Sequence, residues 1–354
     1  LKNYLIAAAK ISVSLLILAA LFWFAFRKNG NQFFAMLAAP KRWEMLLAAW
    51  IVVLVAVLIT IVRWCYLVRA VGIPLSIKDS LRIGFLGYLF NLAPLGIVGG
   101  DLFKAVILAH EWRARGTSNR AKALASVFVD RIVGLEVLFL VASLGVVTGK
   151  MWHDPDRVSQ LICTAVLITT AISTVGLTIC MIPGVLDGPL FKAFERLPKV
   201  GHAAHSLLES LRIYRRDIPV LFFSGLATLP VHLLLAMSLY FLARGLRFDT
   251  LSAVDFIGIY AISNILLVIP LPAGPAEGAV QFIYATAVKL SLGAAMINDK
   301  DLQDGLMIGL AAKLIAVSLA VIGMAFYFFG DRKEFREVIE ESNEPQDDSQ
   351  TVKA

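Results

Sequence analysis

Asn91-Leu-Ala-Pro94-Leu-Gly96-Ile-Val-Gly99-Gly100-Asp101-Leu-Phe-Lys104 interrupts an otherwise apolar, helix-forming region. Pro94 has no amide hydrogen and biases the residue before it away from helical angles, while Gly96, Gly99 and Gly100 accept angles that other residues avoid. Asp101 and Lys104 then set opposite charges at the start of a new helix. A second copy, Pro272-Ala-Gly274-Pro-Ala-Glu277-Gly278, follows an apolar run that begins near Asn264. Both copies read Pro-x-Gly-x-x-x-Gly, and in each an acid flanks the last glycine. Matched interruptions of hydrophobic segments, one in each half of a chain, point to a binding site built from broken helices.

Composition places those breaks in a membrane. Of 354 residues, 58% are hydrophobic and 17% charged, with a mean hydropathy of +0.77. The apolar residues gather in runs that reach the roughly 20 residues a bilayer crossing takes. The formal net charge is +7, and residues 331–354 hold 8 acids and 4 bases, so the first 330 residues carry 29 − 18 = +11. Such an excess in a polytopic chain fits positive cytoplasmic loops and contact with anionic lipid rather than nucleic-acid binding. Cys65, Cys163 and Cys180 lie in apolar runs without metal-ligand spacing and read as packing residues. No metal or cofactor is expected.

Taken in order, a first span closes at Arg27 and Lys28, and a second runs from about Trp43 to Arg69, where Arg63 and Arg69 are expected to snorkel toward the interface. The 76–93 segment enters the first break, and the 101–111 segment after it is too short to cross. Together they read as a re-entrant helical hairpin, which is tolerated where its irregular backbone is buried in protein or lines a watery cavity. A third span, 123–147, carries Asp130, Arg131 and Glu136. These either face the bundle interior or meet headgroups at the helix end. His153-Asp154-Pro155 reads as a solvated turn before a fourth span that ends near Ile182.

The 183–216 segment is basic and amphipathic, suited to an anionic membrane surface. A fifth span, 218–242, contains Pro230 as a kink, followed by His232, which is expected to face the bundle and hydrogen-bond to backbone. The second break is flanked by 251–269 and 277–292. A polar loop, 298–304, then leads to a last span ending near Phe329, and the acidic 331–354 tail is expected to be disordered.

The fold expected is therefore an all-α polytopic membrane protein with about six spanning helices, two re-entrant hairpins and both termini cytoplasmic. In it the 43–147 unit recurs upside down in 218–329, as an inverted repeat. The 27–42 loop, with four bases, dissents from this orientation, whereas three other basic regions support it.

The 91–104 stretch, Val129-Asp130-Arg131-Ile132-Val133-Gly134 and the 270–278 stretch resemble the transmembrane region of lysylphosphatidylglycerol synthases, which is shared with stand-alone flippase-like membrane proteins. The resemblance spans roughly residues 5–330 and is specific around those three motifs. It implies a lipid-flipping module of an inner membrane, acting on an aminoacylated phospholipid or another lipid-linked polar headgroup. The soluble aminoacyl-transferase part of the two-part synthases has no counterpart after the last span, so lysyl transfer is not expected.

The residues themselves favour transport. Half-helix N-termini at the breaks present positive dipole and free amides to an anionic phosphate, and Arg82, Lys104 and Arg131 can add charge-assisted hydrogen bonds. Asp101 and Glu277 can exchange protons or hold a cationic headgroup, although an acid in a helix's first turn is also an ordinary cap worth about 1 kcal/mol. The glycines can equally serve close helix packing. The candidate substrate site thus comprises Arg82, Asn91, Pro94, Gly96, Gly99, Gly100, Asp101, Lys104, Asp130, Arg131, Asn264, Pro272, Gly274, Glu277 and Gly278. Two other classes stay open. One is an integral-membrane enzyme for a lipid-linked donor, with Asp130, Asp101, His110 or Glu111 as general base. The other is a scaffold for a soluble enzyme partner. Expected partners are anionic phospholipid or polyprenyl phosphate, with a second copy of the chain left open.

Overall fold

A computed structural model describes residues 39–91, 96–114, 120–188, 201–265 and 274–329, with isolated positions before residue 39. Every regular element among the described residues is helical. The helices are α1 (Trp43–Ala70), α2 (Ile77–Phe90), α3 (Gly96–Ala114), α4 (Arg120–Thr148), α5 (Arg157–Met181), α6 (Gly201–Tyr214), α7 (Ile218–Gly245), α8 (Asp255–Ile265), α9 (Pro275–Leu292) and α10 (Asp299–Phe329).

Among the described residues, four stretches are long and apolar enough to cross a bilayer: Trp43–Ala70, Arg157–Met181, Leu208–Gly245 and Asp299–Phe326. Helix α4 has comparable length, 29 residues, and carries Asp130, Arg131 and Glu136. The expected first span and the 331–354 tail lie outside the described residues.

Local chemistry sets the helix ends around both breaks. Helices α2 and α8 each open on a Ser-x-x-Asp box. The Ser76 hydroxyl accepts from the Asp79 amide at 3.0 Å, and Asp255 accepts from the Ser252 amide and hydroxyl at 2.9 and 2.7 Å. These first arms have 14 and 11 residues, or about 21 and 17 Å of helix, well short of the roughly 30 Å hydrocarbon core. The second arm of the first break is longer than the sequence reading expected, whereas that of the second, Pro275–Leu292, agrees with it. Helix α3 begins at Gly96 rather than Asp101 and has 19 residues, about 28 Å. The glycines after Pro94 join the helix, and no breaker follows until Ala114. Helix α10 likewise begins at Asp299, so Asp301 and Asp304 belong to its first two turns and not to a loop.

Arms α2 and α3 pack antiparallel as a hairpin. The Phe90 and Phe103 rings lie 3.8 Å apart, and a β-carbon on Gly100 would collide with the Asn91 side chain and the Gly87 carbonyl. Helices α1 and α7 also run antiparallel. The Arg42 amide donates to the Gly245 carbonyl at 3.0 Å at one end, and Arg63 donates to the Thr228 hydroxyl further along.

A constant displacement relates the two halves. Pro272, Gly274 and Gly278 each lie 178 positions after Pro94, Gly96 and Gly100, and the same step carries Ile77, which opens α2, onto Asp255, which opens α8. It also carries Ala114, the end of α3, onto Leu292, the end of α9. The packing is exchanged in the same way, since α2 lies on α10 and α8 lies on α4. Both contacts depend on a glycine. Gly145 of α4 meets Gly258 of α8, with a built β-carbon 2.8 Å from its Cα, and Gly323 of α10, again 178 positions on, presses against the Phe85 carbonyl. Small residues at such crossings bring backbones close where apolar burial supplies little drive between helices.

The 183–216 segment is less of a free surface element than its composition suggested. Leu208 and Leu211 of α6 are buried with Leu186 against α4 and α5, and the Tyr214 hydroxyl donates to the Leu67 carbonyl at 2.8 Å.

Candidate functional site

The site lies where α3, α4 and α1 meet beside the first break. Asp101 stands in the second turn of α3, so it is no first-turn cap. Its Oδ1 accepts from Arg131 Nη2 at 2.6 Å, and its Oδ2 accepts from Arg131 Nε. Lys104 Nζ lies 3.8 Å from Asp101 and 5.8 Å from the centre of the Trp64 ring. One residue back on α4, Asp130 turns inward. Its Oδ1 accepts from Arg63 Nε at 3.0 Å, and its backbone carbonyl accepts from Arg63 Nη2 at 3.2 Å.

Arg63 therefore does not snorkel. It is 7% exposed, and Nη1 reaches Thr228 on α7. Of the two readings of Asp130, the interior one holds, because a buried guanidinium on α1 compensates it. Only the partner 67 positions away decides this, and neither segment reveals it alone.

Three bases, Arg63, Lys104 and Arg131, face two acids, Asp101 and Asp130, for a balance of 3 − 2 = +1. Accessibility is uneven. The Arg131 side chain is 41% exposed while its partner Asp101 is 14% exposed, so the cationic edge is the reachable one. Asn91, at the end of α2, is half-buried beside Gly100, and its Oδ1 has no hydrogen-bond donor among the described residues. Gly100 and Gly87 let the two arms touch, which is the packing role weighed for these glycines. Arg82 is half-buried on α2, and the hairpin register places it opposite the His110 level, beyond Lys104.

A polar line leads from this cluster toward the second break. One turn after Thr228, His232 bridges three helices: Nε2 contacts the Gly134 carbonyl of α4 at 3.1 Å, and Nδ1 contacts the Tyr260 hydroxyl of α8 at 3.0 Å. A carbonyl only accepts, so Nε2 carries the hydrogen and Nδ1 accepts from tyrosine. The expected bundle-facing, backbone-bonded histidine is what the chain contains. Asn264, one turn beyond Tyr260, donates to the Tyr260 carbonyl at 2.8 Å.

The second break is built differently. Gly274 has φ 109°, a conformation open to glycine, and its amide donates to Glu277 Oε2 at 2.7 Å. Glu277 is thus a helix cap. It is 4% exposed, with Lys313 Nζ 3.9 Å from its other oxygen. The positions 178 after Asp130 and Arg131 are Ile308 and Gly309. A β-carbon on Gly309 would stand 3.1 Å from Glu277 Cα. Where the first half holds Asp130 and Arg131, the second half closes two helices together, and among the described residues the Arg63–Asp130–Arg131–Asp101 arrangement has no copy at the 178-residue step. Gly278 follows in the first turn of α9, donating its amide to the Gly274 carbonyl at 2.8 Å. Pro94 and Pro272 lie outside the described residues, as do the surroundings of Gly96 and Gly99 and the side chain of Glu111.

The turn at 153–155 corrects another expectation. Asp154 is fully buried, and its carboxylate takes Lys289 Nζ of α9 at 3.0 Å and the Ser159 hydroxyl at 2.8 Å. Burial disfavours the Asp154 carboxylate, yet Lys289 and Ser159 hold it below the usual range. An Asp-Pro turn looks the same whether water or a lysine 135 positions away completes it.

A search of curated proteins returned no match. Matched over residues 11–300 by the family model of the lysylphosphatidylglycerol synthase transmembrane region, the chain is an integral membrane protein that belongs to this family.

Proposed function

We propose that the chain moves an anionic phospholipid, its aminoacylated form or a lipid-linked phosphate between leaflets. The route is a central cavity between two inverted halves, each carrying a re-entrant hairpin. The observation that carries the reading is the reachable cation of a buried cluster: Arg131 is exposed beside Asp101 and Lys104, and the cluster keeps one positive charge in excess. A phosphate headgroup needs such a partner, and a route that keeps its charge out of hydrocarbon. The 178-residue correspondence, the antiparallel α1 and α7 and the exchanged α2–α10 and α8–α4 contacts support the inverted arrangement. The short α2 and α8 support re-entrant first arms.

Asp101 and Asp130 are each held by an arginine, which leaves neither poised as a general base and favours transport over catalysis. Mass spectrometry of lipids retained by the purified protein tests the reading. Phosphate-bearing anionic lipids should be enriched over their share in the membrane, and Arg131→Gln should lose that enrichment. Retention that follows bulk membrane composition would favour the scaffold alternative.

A further inference from the structure

The α9–α10 seam contains a buried acid that the cluster above does not use. Asp304, in the second turn of α10, is 6% exposed, and its Oδ1 has no hydrogen-bond donor among the described residues. The other acids at the helix breaks and in the 153–155 turn are compensated: Asp130 by Arg63, Asp101 by Arg131, Asp154 by Lys289, and Glu277 by the Gly274 amide and Lys313. Across the seam, Gln281 of α9 is 3% exposed, and its Nε2 finds no acceptor among the described residues. The backbones touch at this level, since a β-carbon on Gly305 would lie 2.8 Å from Gln281 Cα. One turn further in, Gly309 packs on Glu277 in the same way. Gln281 and Glu277 are four residues apart on one face of α9, and Gly305, Gly309 and Lys313 follow the same spacing on α10. Asp304 thus adjoins the glycine that packs on Gln281, and Gln281 lies one turn from the cap of the second break.

We propose that this seam is a proton-binding site, with Asp304 taking one proton from water to become a neutral carboxylic acid. The inference rests on the transport reading, to which it adds the coupling ion. A carboxylate with neither a contacting cation nor full hydrogen bonding is costly in a buried place, and protonation removes the charge without moving a helix. Neutralised, the acid gains an O–H donor while its carbonyl still accepts, so it can engage an amide such as Gln281. The groups that bear on it are Lys300 and Asp301 on its own helix and Tyr284 on α9, itself within reach of Asp249 after α7. Lys313 bears on Glu277 at the inner end. Sodium would call for several oxygen ligands, whereas the unpartnered atoms of this seam are one carboxylate oxygen and one amide nitrogen, a donor that repels a cation.

Infrared spectroscopy of the whole purified protein reads the proton directly, whether or not lipid moves. Wild type should show a protonated-carboxyl stretch that shifts in heavy water and titrates away on alkalinisation. Asp304→Asn should lose that band, and Asp304→Glu should restore it at a shifted position. A band of wild-type intensity in Asp304→Asn, or none in wild type at any pH at which it stays folded, would overturn the proposal. Replacing sodium with choline should leave the band unchanged, and its suppression by sodium would assign the seam to that cation instead. If the band behaves as expected but no lipid crosses, the transport reading fails and the proton site stands.

Discussion

Arg63 of α1 and Asp130 of α4 meet at 2.9 Å, Nη2 to Oδ1, with side chains 5% and 8% exposed. This pair ties α1 to the cationic cluster, because Asp130 adjoins Arg131, whose guanidinium holds Asp101. Removing one partner leaves a buried charge uncompensated, at a cost of about 3–5 kcal/mol. Thermal unfolding in detergent should show Asp130→Asn and Arg63→Gln strongly destabilised, and the double replacement Arg63→Met with Asp130→Leu closer to wild type than either. Equal and additive losses would argue against the pair.

The glycines 178 positions apart predict matched behaviour. Gly145→Ala and Gly323→Ala each place a methyl group against the backbone of the facing half, at about 1–3 kcal/mol of overpacking. Both should lower the unfolding temperature by similar amounts, while Gly176→Ala, which meets nothing within 4 Å, should not. Indifference at one of the pair would break the correspondence between the halves.

His232 is held as the neutral Nε2–H form by the Gly134 carbonyl and the Tyr260 hydroxyl. Nitrogen NMR of labelled histidine should show that tautomer, and Tyr260→Phe should perturb the Nδ1 resonance. His232→Phe orphans the Gly134 carbonyl and the Tyr260 hydroxyl and should destabilise by about 1–3 kcal/mol for each group left buried.

Much of this fold was legible from the chain. Pro94, Pro272 and the glycines after them announced both breaks, because those residues restrict or free the backbone whatever surrounds them. Boundaries failed where a neighbour decides. Gly96 to Gly100 look like continued irregular chain but join α3, and Asp299 to Asp304 look like a loop but cap and begin α10. The candidate site was half legible. Asp101, Lys104, Asp130 and Arg131 were singled out and do come together, whereas Arg63 and Asp154 were assigned to water. Their burial rests on partners 67 and 135 positions away, a separation at which no periodicity carries information.

The Asp154–Lys289 tie gives a pH dependence outside the site. The Asp154 carboxyl titrates below its ordinary value in the folded chain. Its stabilising contribution is therefore complete above the ordinary carboxylate pKa of about 4 and is lost as pH falls through the lower, folded value. Melting curves should show wild type losing more stability than Asp154→Asn on acidification below about pH 4. Parallel curves would remove Asp154 from the acid response.

Leaflet exchange of fluorescent phosphatidylglycerol in proteoliposomes, followed with an impermeant quencher, tests the central claim most directly. Wild type should exchange the lipid above the protein-free baseline. Arg131→Gln and Asp101→Asn, each folded in the membrane, should fall to that baseline, with Arg131→Gln losing roughly tenfold or more for one charge-assisted hydrogen bond, whereas Glu277→Gln, which keeps a capping oxygen, should retain most exchange. Exchange at the wild-type rate by Arg131→Gln would contradict the account. So would a wild-type protein that moves neither phosphatidylglycerol, its lysyl ester nor polyprenyl phosphate faster than vesicles without protein.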